Sequence, residues 1–173
     1  MTTMKKFIYI AALLIGAALT LTACGGDDEP KEDVTATATY QMTFSQDLLD
    51  ACNVFITYKA ENGRNVMEAI KDNGWTKSVT SNKFPAEFGV MYKFSTKSDA
   101  ELTKEKYDLT CILKFDVKTT KGANYGNNFT IIDSKGVAKN KVVSTLNGLS
   151  GNSIGFKVTK DGHPSPANNL KYE

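Results

Sequence analysis

The chain has little of what enzymes commonly use for metal or nucleophilic chemistry. It contains one histidine, His163, and three cysteines in 173 residues. A histidine-based zinc triad is therefore excluded, and no two cysteines have metal-ligand spacing. His163 lies in a Pro-rich tail, where a catalytic dyad with a cysteine would be hard to hold. We expect no metal site, no cofactor and no catalytic residue.

An excess of charge is also lacking once the first residues are set apart. The chain has 21 Lys and Arg against 19 Asp and Glu. Residues 1–23 contain Lys5 and Lys6 and no acidic residue, so residues 24–173 carry equal numbers of each sign. Without a basic excess there is nothing to attract a phosphate backbone. Nucleic acid is therefore excluded as a partner.

The N-terminal segment has the parts of a signal peptide. Lys5 and Lys6 form a basic start, and residues 7–21 are an apolar run that is shorter than the roughly 20 residues of a spanning helix. The run ends at Leu21-Thr22-Ala23-Cys24, which resembles the bacterial lipobox. This resemblance implies that residues 1–23 are removed, that Cys24 becomes acylated and N-terminal, and that the protein is a lipoprotein held to a membrane by its lipid.

Residues 24–33 follow as an acidic tether. Gly25-Gly26-Asp27-Asp28-Glu29-Pro30-Lys31-Glu32-Asp33 has few apolar residues and many carboxylates, which is typical of a flexible linker. An acidic run directly after the lipid cysteine resembles the surface-export signal of Bacteroidota lipoproteins. The resemblance implies anchoring in the outer membrane with exposure at the cell surface. If the run is only a spacer, the periplasmic leaflet is the alternative.

Residues 34–162 alternate between apolar and polar side chains, which predicts strands with one buried face. The pattern is clearest at 84–94 and 107–118, and further strands are predicted at 35–45, 52–60, 75–81, 129–133 and 153–160. Short helical pieces are predicted at 46–50 and 65–71, with one turn at 98–101. Glycine-containing turn signals separate these segments, among them Ser134-Lys135-Gly136.

The predicted fold is all-β: one antiparallel β-sandwich of about seven strands, immunoglobulin-like or related. The resemblance to immunoglobulin domains is limited to architecture, because Trp75 lacks the strand context that those domains give their tryptophan. Residues 163–173 are predicted to form a Pro/Asn-rich tail after this single domain.

Cys52 and Cys111 both fall on inward faces of predicted strands. Outside the inner membrane they could form a disulfide between the sheets, worth about 4 kcal/mol in the chain-entropy model. Such a bridge would resemble the inter-sheet disulfide of immunoglobulin domains. The alternative is two buried free thiols that pack as small apolar groups.

Two aromatic residues are predicted to lie in polar loops. Trp75 follows Gly74, and Tyr125 precedes Asn127 and Asn128. A ring in such a loop can stack on a sugar while amides bond its hydroxyls. Alternatively, Trp75 caps the core and Tyr125 lies over an edge strand.

These features favour a non-enzymatic accessory or binding module at the cell surface, with a glycan or an envelope protein as partner. One alternative is a glycoside-processing enzyme that uses a carboxylate pair such as Glu87 and Asp108. Another is a subunit that donates a strand to a surface polymer, which an unpaired edge and a displaced terminal strand would mark.

Overall fold

The computed structural model describes residues 33–172, except the side chain of Asn62, and this part of the chain is built almost entirely of strands. In chain order the elements are β1 (Ala36–Phe44), α1 (Gln46–Ala51), β2 (Cys52–Lys59), β3 (Asn65–Ile70), β4 (Gly74–Ser81), β5 (Ala86–Thr96), β6 (Lys106–Thr119), β7 (Tyr125–Ala138), α2 (Val142–Asn147), β8 (Ser153–Val158) and β9 (Pro164–Pro166). Two single 3-10 turns, Glu61–Gly63 and Lys139–Lys141, join neighbouring elements. The predicted all-β fold is confirmed.

The strands form two antiparallel sheets that pack face to face. Sheet A has the order β4-β1-β6-β7, and sheet B has the order β3-β2-β5-β8-β9. β1 and β2 lie in different sheets, whereas the first two strands of an immunoglobulin domain share one. The resemblance to that family therefore holds for the sandwich architecture and not for the strand order.

The core lies between the sheets and is filled by alternate residues of the strands, as the period-two pattern predicts. In β6 the inward residues are all buried: Tyr107, Leu109, Cys111, Leu113, Phe115 and Val117. Burial of each large apolar side chain contributes about 1.5–3 kcal/mol. The outward residues of the same strand alternate with them and meet solvent or a surface ion pair.

The segment 65–71, predicted as a helix, is the edge strand β3. Its apolar residues also fit a strand, because Val66 and Ile70 fall on the same face at even spacing. Pairing with β2 places Val66 opposite Tyr58 and Ile70 opposite Val54. The tertiary partner therefore overrode an ambiguous local pattern.

β7 is also longer than predicted. It runs through Ser134-Lys135-Gly136, which was expected to be a turn, and Gly136 has a φ of 61° there. The register with β6 shifts between Tyr107 and Leu109, so this glycine serves a β-bulge. The helix α2 that follows β7 was not predicted.

The C-terminal residues belong to the sandwich, so the prediction of a separate tail from residue 163 is wrong. β9 pairs with β8, and the following C-terminal segment, residues 167–172, lies on the outer face of sheet B. There Gly89 pairs with Gly155, and their missing side chains leave room for Tyr172 and Leu170. Two glycines that lie far from this segment in the sequence therefore make room for it on the sheet.

Lys59 shows how closely the C-terminal segment packs. It belongs to the outward face of β2, yet only 6% of its surface is exposed. Its ammonium donates to the carbonyl of Lys171 and lies 5.3 Å from the centre of the Tyr172 ring. The charged end is thus satisfied by a carbonyl and an aromatic face contributed by the C-terminal segment.

Candidate functional site

Trp75 does not lie in an exposed loop. It is an inward residue of β4 with 8% of its surface exposed, and it packs against the rings of Tyr40 and Tyr58. Its indole N–H donates to Glu68 at 2.9 Å. The prediction that this ring is free to stack on a sugar is wrong, and the core-capping alternative holds.

Glu68 joins the two sheets along this side of the sandwich. From β3 of sheet B it bonds Trp75 and Lys77, both on β4 of sheet A, and it accepts the hydroxyl of Tyr58 at 3.2 Å. The Lys77 ion pair is 2.8 Å long. Partial burial disfavours the charged carboxylate, but the three hydrogen bonds outweigh it and hold the pKa of Glu68 below its ordinary value. The β3–β4 side is therefore closed.

Tyr125, Asn127 and Asn128 are strand residues rather than loop residues. The register places Tyr125 opposite Val117 and Asn127 opposite Phe115, so both point to the inner side of sheet A. Asn128 lies opposite Lys114 and points outward. The structure thus brings Tyr125 and Asn127 onto one face and separates Asn128 from them.

Tyr125 is partly exposed and rests on a buried ring of the opposite sheet. Its centroid lies 4.5 Å from that of Phe156 on β8. Phe129, also inward and partly exposed, lies 6.4 Å from the same ring. Phe156 in turn stacks on Phe115 at 4.8 Å, which continues the contact into the core. The ring of Tyr125 is therefore held firmly while one part of it meets solvent.

We call the surface between β7 and β9 the open side of the sandwich. It is lined by Tyr125, Asn127, Phe129, Phe156 and Pro166. The sequence pattern did not indicate Phe129, Phe156 or Pro166 as contributors to this surface. Phe129 and Phe156 fitted their strand patterns as core residues, and no local signal shows that a core residue lies at a sheet edge.

One end of the open side is fixed by contact between two turns. Gly122 of the β6–β7 turn has a φ of 91°, and a side chain on it would lie 2.8 Å from the carbonyl oxygen of Gly162. Gly162 of the β8–β9 turn has a φ of 82° and leaves no room for a side chain beside Lys121. Only glycine suits both conformations and this close approach.

Trp75 and Tyr125 are the two ends of one chain of ring contacts across the core. The chain runs from Trp75 through Tyr40, Phe115 and Phe156 to Tyr125, with centroid separations of 6.4, 5.1, 4.8 and 4.5 Å. Their strands β4 and β7 are the opposite edges of sheet A, about 14 Å apart. The two rings therefore cannot serve one small binding site.

Glu87 and Asp108 do not form a carboxylate pair. Glu87 points outward from sheet B and pairs with Lys157 at 3.4 Å. Asp108 points outward from sheet A, where its carboxylate accepts the N–H of Gly136 at 2.8 Å. Packed sheets lie about 10 Å apart and these side chains face away from each other. This pair is wrong as a candidate for glycoside hydrolysis.

Cys52 and Cys111 are buried free thiols in the structure, so of the two readings of this pair, the free thiols hold and the disulfide does not. Cys52 begins β2, and its thiol donates to the carbonyl of Leu48 at 3.2 Å. Burial raises the pKa of each thiol to about 12, and for Cys111 the nearby Cys52 adds to the effect. A thiolate is the reactive form, so neither residue suits nucleophilic chemistry.

A shallow cleft of about 150 Å³ lies at the start of β5. Its lining includes Ala60, Gly63, Ser81, Lys83 and Glu87. The hydroxyl of Ser81 already bonds the backbone of Lys83, and Glu87 is paired with Lys157. These polar groups are occupied within the chain, which makes the cleft a weaker candidate than the open side.

One mark of a strand-donating subunit is present and the other is not. β7 pairs with β6 on one edge only, so its other edge is unpaired within the described residues. The first strand, β1, is central in sheet A, and the last, β9, pairs with β8 of its own chain. Neither terminal strand is displaced.

Cys24 and residues 25–32 lie outside the described residues, so the lipid site stays a prediction. Within residues 33–172, no helix combines the length and hydropathy needed to cross a bilayer. In the same part of the chain, no group of three or more His, Cys, Asp or Glu side chains could hold a metal ion. No protein-family model, curated protein or solved structure matches this chain.

Proposed function

We propose that this chain is a lipid-anchored, non-enzymatic binding module of the bacterial outer membrane, and that it binds a neighbouring envelope protein through its open side. The observation that carries the proposal is the partly exposed ring of Tyr125, held on Phe156 beside an edge of β7 that no strand of residues 33–172 pairs with. Aromatic rings fixed in this way are typical anchors of protein interfaces.

Three features support the open side over the other surfaces. The β3–β4 side is closed by the Glu68 network. The outer face of sheet B is covered in part by the C-terminal segment, which buries Lys59. The open side combines apolar rings, the exposed amide of Asn127 and unpaired backbone groups. Interfaces favour this mixture of an aromatic centre with a polar rim.

The lipid at Cys24 would supply the membrane attachment, which leaves the folded domain free for binding. Metabolic labelling with a fatty-acid analogue tests this part, and Cys24→Ser should abolish the label. Protease treatment of intact cells then separates the two leaflets. Digestion of the wild-type protein on intact cells supports surface exposure, whereas protection places it on the periplasmic side.

Photo-cross-linking tests the partner. A photoreactive amino acid replaces Asn127 on the open side or, as the control, Gln41, an exposed outward residue of the central strand β1. We expect one discrete cross-linked protein from position 127 and none from position 41, and Tyr125→Ala should reduce that product. Equal products from both positions, or no effect of Tyr125→Ala, would contradict the proposal.

A glycan array probed with the same purified chain tests whether the partner is a glycan instead of a protein. If the chain binds a glycan, and Tyr125→Ala abolishes that binding while position 127 yields no protein product, the partner is a glycan. The open side would then be the binding surface, but for a different class of ligand.

A further inference from the structure

The two sheets have unequal numbers of strands. Sheet A has four and sheet B has five. β7 faces β8, because Tyr125 and Phe129 both contact the ring of Phe156. β9 lies one position beyond β8. In the described part of the chain, no strand of sheet A therefore faces β9, and the position beside β7 is vacant.

The vacant position is bordered by side chains that belong to the interior of a sandwich. Pro166 and Pro164 are opposite Phe156 and Val158, so they share the inner face of sheet B, and Pro166 is exposed. Tyr125 and Phe129 are inward residues of β7 that stay partly exposed. Apolar groups at this level are normally covered by the facing sheet.

The edge of β7 is regular where it borders this position. From Tyr125 to Thr130 the strand pairs with residues 117 to 112 of β6 without a shift, and the first bulge follows at Ile131. The backbone N–H of Asn128 donates to the side chain of Asn127 at 2.9 Å rather than to β6. By the alternation of a strand, the N–H groups of Gly126 and Thr130 share this orientation.

We infer that the vacant position accepts an extended segment of the partner protein, which pairs with residues 125–130 as a fifth strand of sheet A. This inference rests on the proposed function and specifies how the open side binds. The segment spans about six residues, and its alternate side chains are apolar so that they cover Tyr125, Phe129 and Pro166. The backbone N–H of Asn128 then donates to a backbone carbonyl of the added strand instead of to the side-chain oxygen of Asn127.

A second copy of the chain does not fit this position through its own β7. If β7 of one copy paired with β7 of another, each β7 would lie over the β9 of the opposite copy. Each copy also carries its own β8 beneath its β7, so that β8 would need the place already filled by the β9 of the opposite copy. The vacancy has the width of one strand, about 4.8 Å. It therefore favours a single extended segment from a different protein.

Peptide binding to the purified full-length chain in detergent micelles tests the inference. The probe is a displayed library of eight-residue peptides with apolar residues at alternate positions. We expect selected peptides to bind, and Asn128→Pro to weaken binding at least about tenfold because proline removes an edge N–H. The matched control Asn128→Ala keeps that N–H and should bind as the wild type does.

Hydrogen exchange on the wild-type chain gives a second measurement that does not depend on the folding of the proline variant. Bound peptide should slow exchange at the amides of Gly126, Asn128 and Thr130. Binding that leaves these amides unchanged, or that survives in folded Asn128→Pro, overturns the inference. If no peptide binds but Asn127 still cross-links a protein that Tyr125→Ala loses, strand addition fails while the proposed function stands.

Discussion

The hydroxyl of Tyr40 accepts the backbone N–H of Gly89 at 3.0 Å and so connects β1 of sheet A to β5 of sheet B. The same hydroxyl donates to the carbonyl of Lys59 at 3.4 Å. The pairing of β2 with β5 ends at Tyr58 and Val90, and the hydroxyl of Tyr40 connects the two strands just beyond that point. Burial, the largest cause, raises the pKa of Tyr40, and the hydroxyl stays protonated.

Tyr40→Phe tests this bridge. The substitution keeps the ring and leaves the N–H of Gly89 buried without its acceptor. We expect the free energy of unfolding to fall by about 1–3 kcal/mol. Urea denaturation followed by the fluorescence of Trp75 measures the change. Tyr125→Phe, which removes a hydroxyl from a partly exposed ring, is the control and should alter stability by much less.

Glu68 gives the stability a dependence on acid. Its pKa is lowered from an ordinary 4.5, so its contribution is complete above that pH and is lost as the pH falls through the lower folded value. The side chain is 30% exposed, and solvent screening limits the effect to about 1 kcal/mol or less.

Glu68→Gln should therefore reduce the acid-induced loss of stability and change the emission of Trp75, whose indole N–H it bonds. Glu101→Gln is the control. Glu101 bonds Ser98 on a surface turn, so its replacement should leave the emission of Trp75 unchanged. If the Trp75 signal of Glu68→Gln keeps the acid transition of the wild type, the assigned role of Glu68 is wrong.

The two thiols should be unreactive in the folded protein. With pKa values of about 12, Cys52 and Cys111 carry almost no thiolate at pH 8, and both are buried. We expect an aromatic disulfide reagent to label neither residue until denaturant is added, and then to label both. Failure to label after denaturation without a reductant would show that the two residues had formed a disulfide.

Gly155 is required by the C-terminal segment. A side chain there would collide with Leu170 and lie 3.0 Å from the carbonyl oxygen of Ala167. Gly155→Ala should lower the free energy of unfolding by about 1–3 kcal/mol. It should also speed amide exchange in residues 167–172.

Gly74→Ala is the matched control for Gly155→Ala, since nothing lies within 4 Å of a side chain at that strand position. Equal stability of the two variants would mean that the C-terminal segment adapts without cost. Leu170→Ala examines the same contact from the other side and should also release the segment.

Local pattern was enough for the fold class and for most of the strands. β5 and β6 follow from their alternation alone, because a strand with one buried face must repeat at every second residue. Segments whose pattern fits two kinds of local structure were not decided by the pattern. The residues of β3 fit a short helix equally well, and the bulge at Gly136 has the composition of a turn.

The candidate site was predictable only in part. Tyr125, Asn127 and Trp75 are equally plausible binding residues from the sequence. What separates them is the edge of sheet A on which they lie: Trp75 is on β4, and Tyr125 and Asn127 are on β7. Trp75 meets Glu68 across a closed side, whereas Tyr125 rests on Phe156 beside a vacant position. No local pattern contains that difference, since it depends on which strands are neighbours.

By itself, the sequence determined that most of residues 34–162 form strands with one apolar face, and it predicts the lipid site at Cys24. Both depend on neighbouring residues, through side-chain alternation in one case and a short motif in the other. Only the tertiary structure decided that Glu87 and Asp108 face apart and that, among residues 33–172, no strand faces β9. Sheet order and packing set these relationships, and they arise from contacts between residues far apart in the chain.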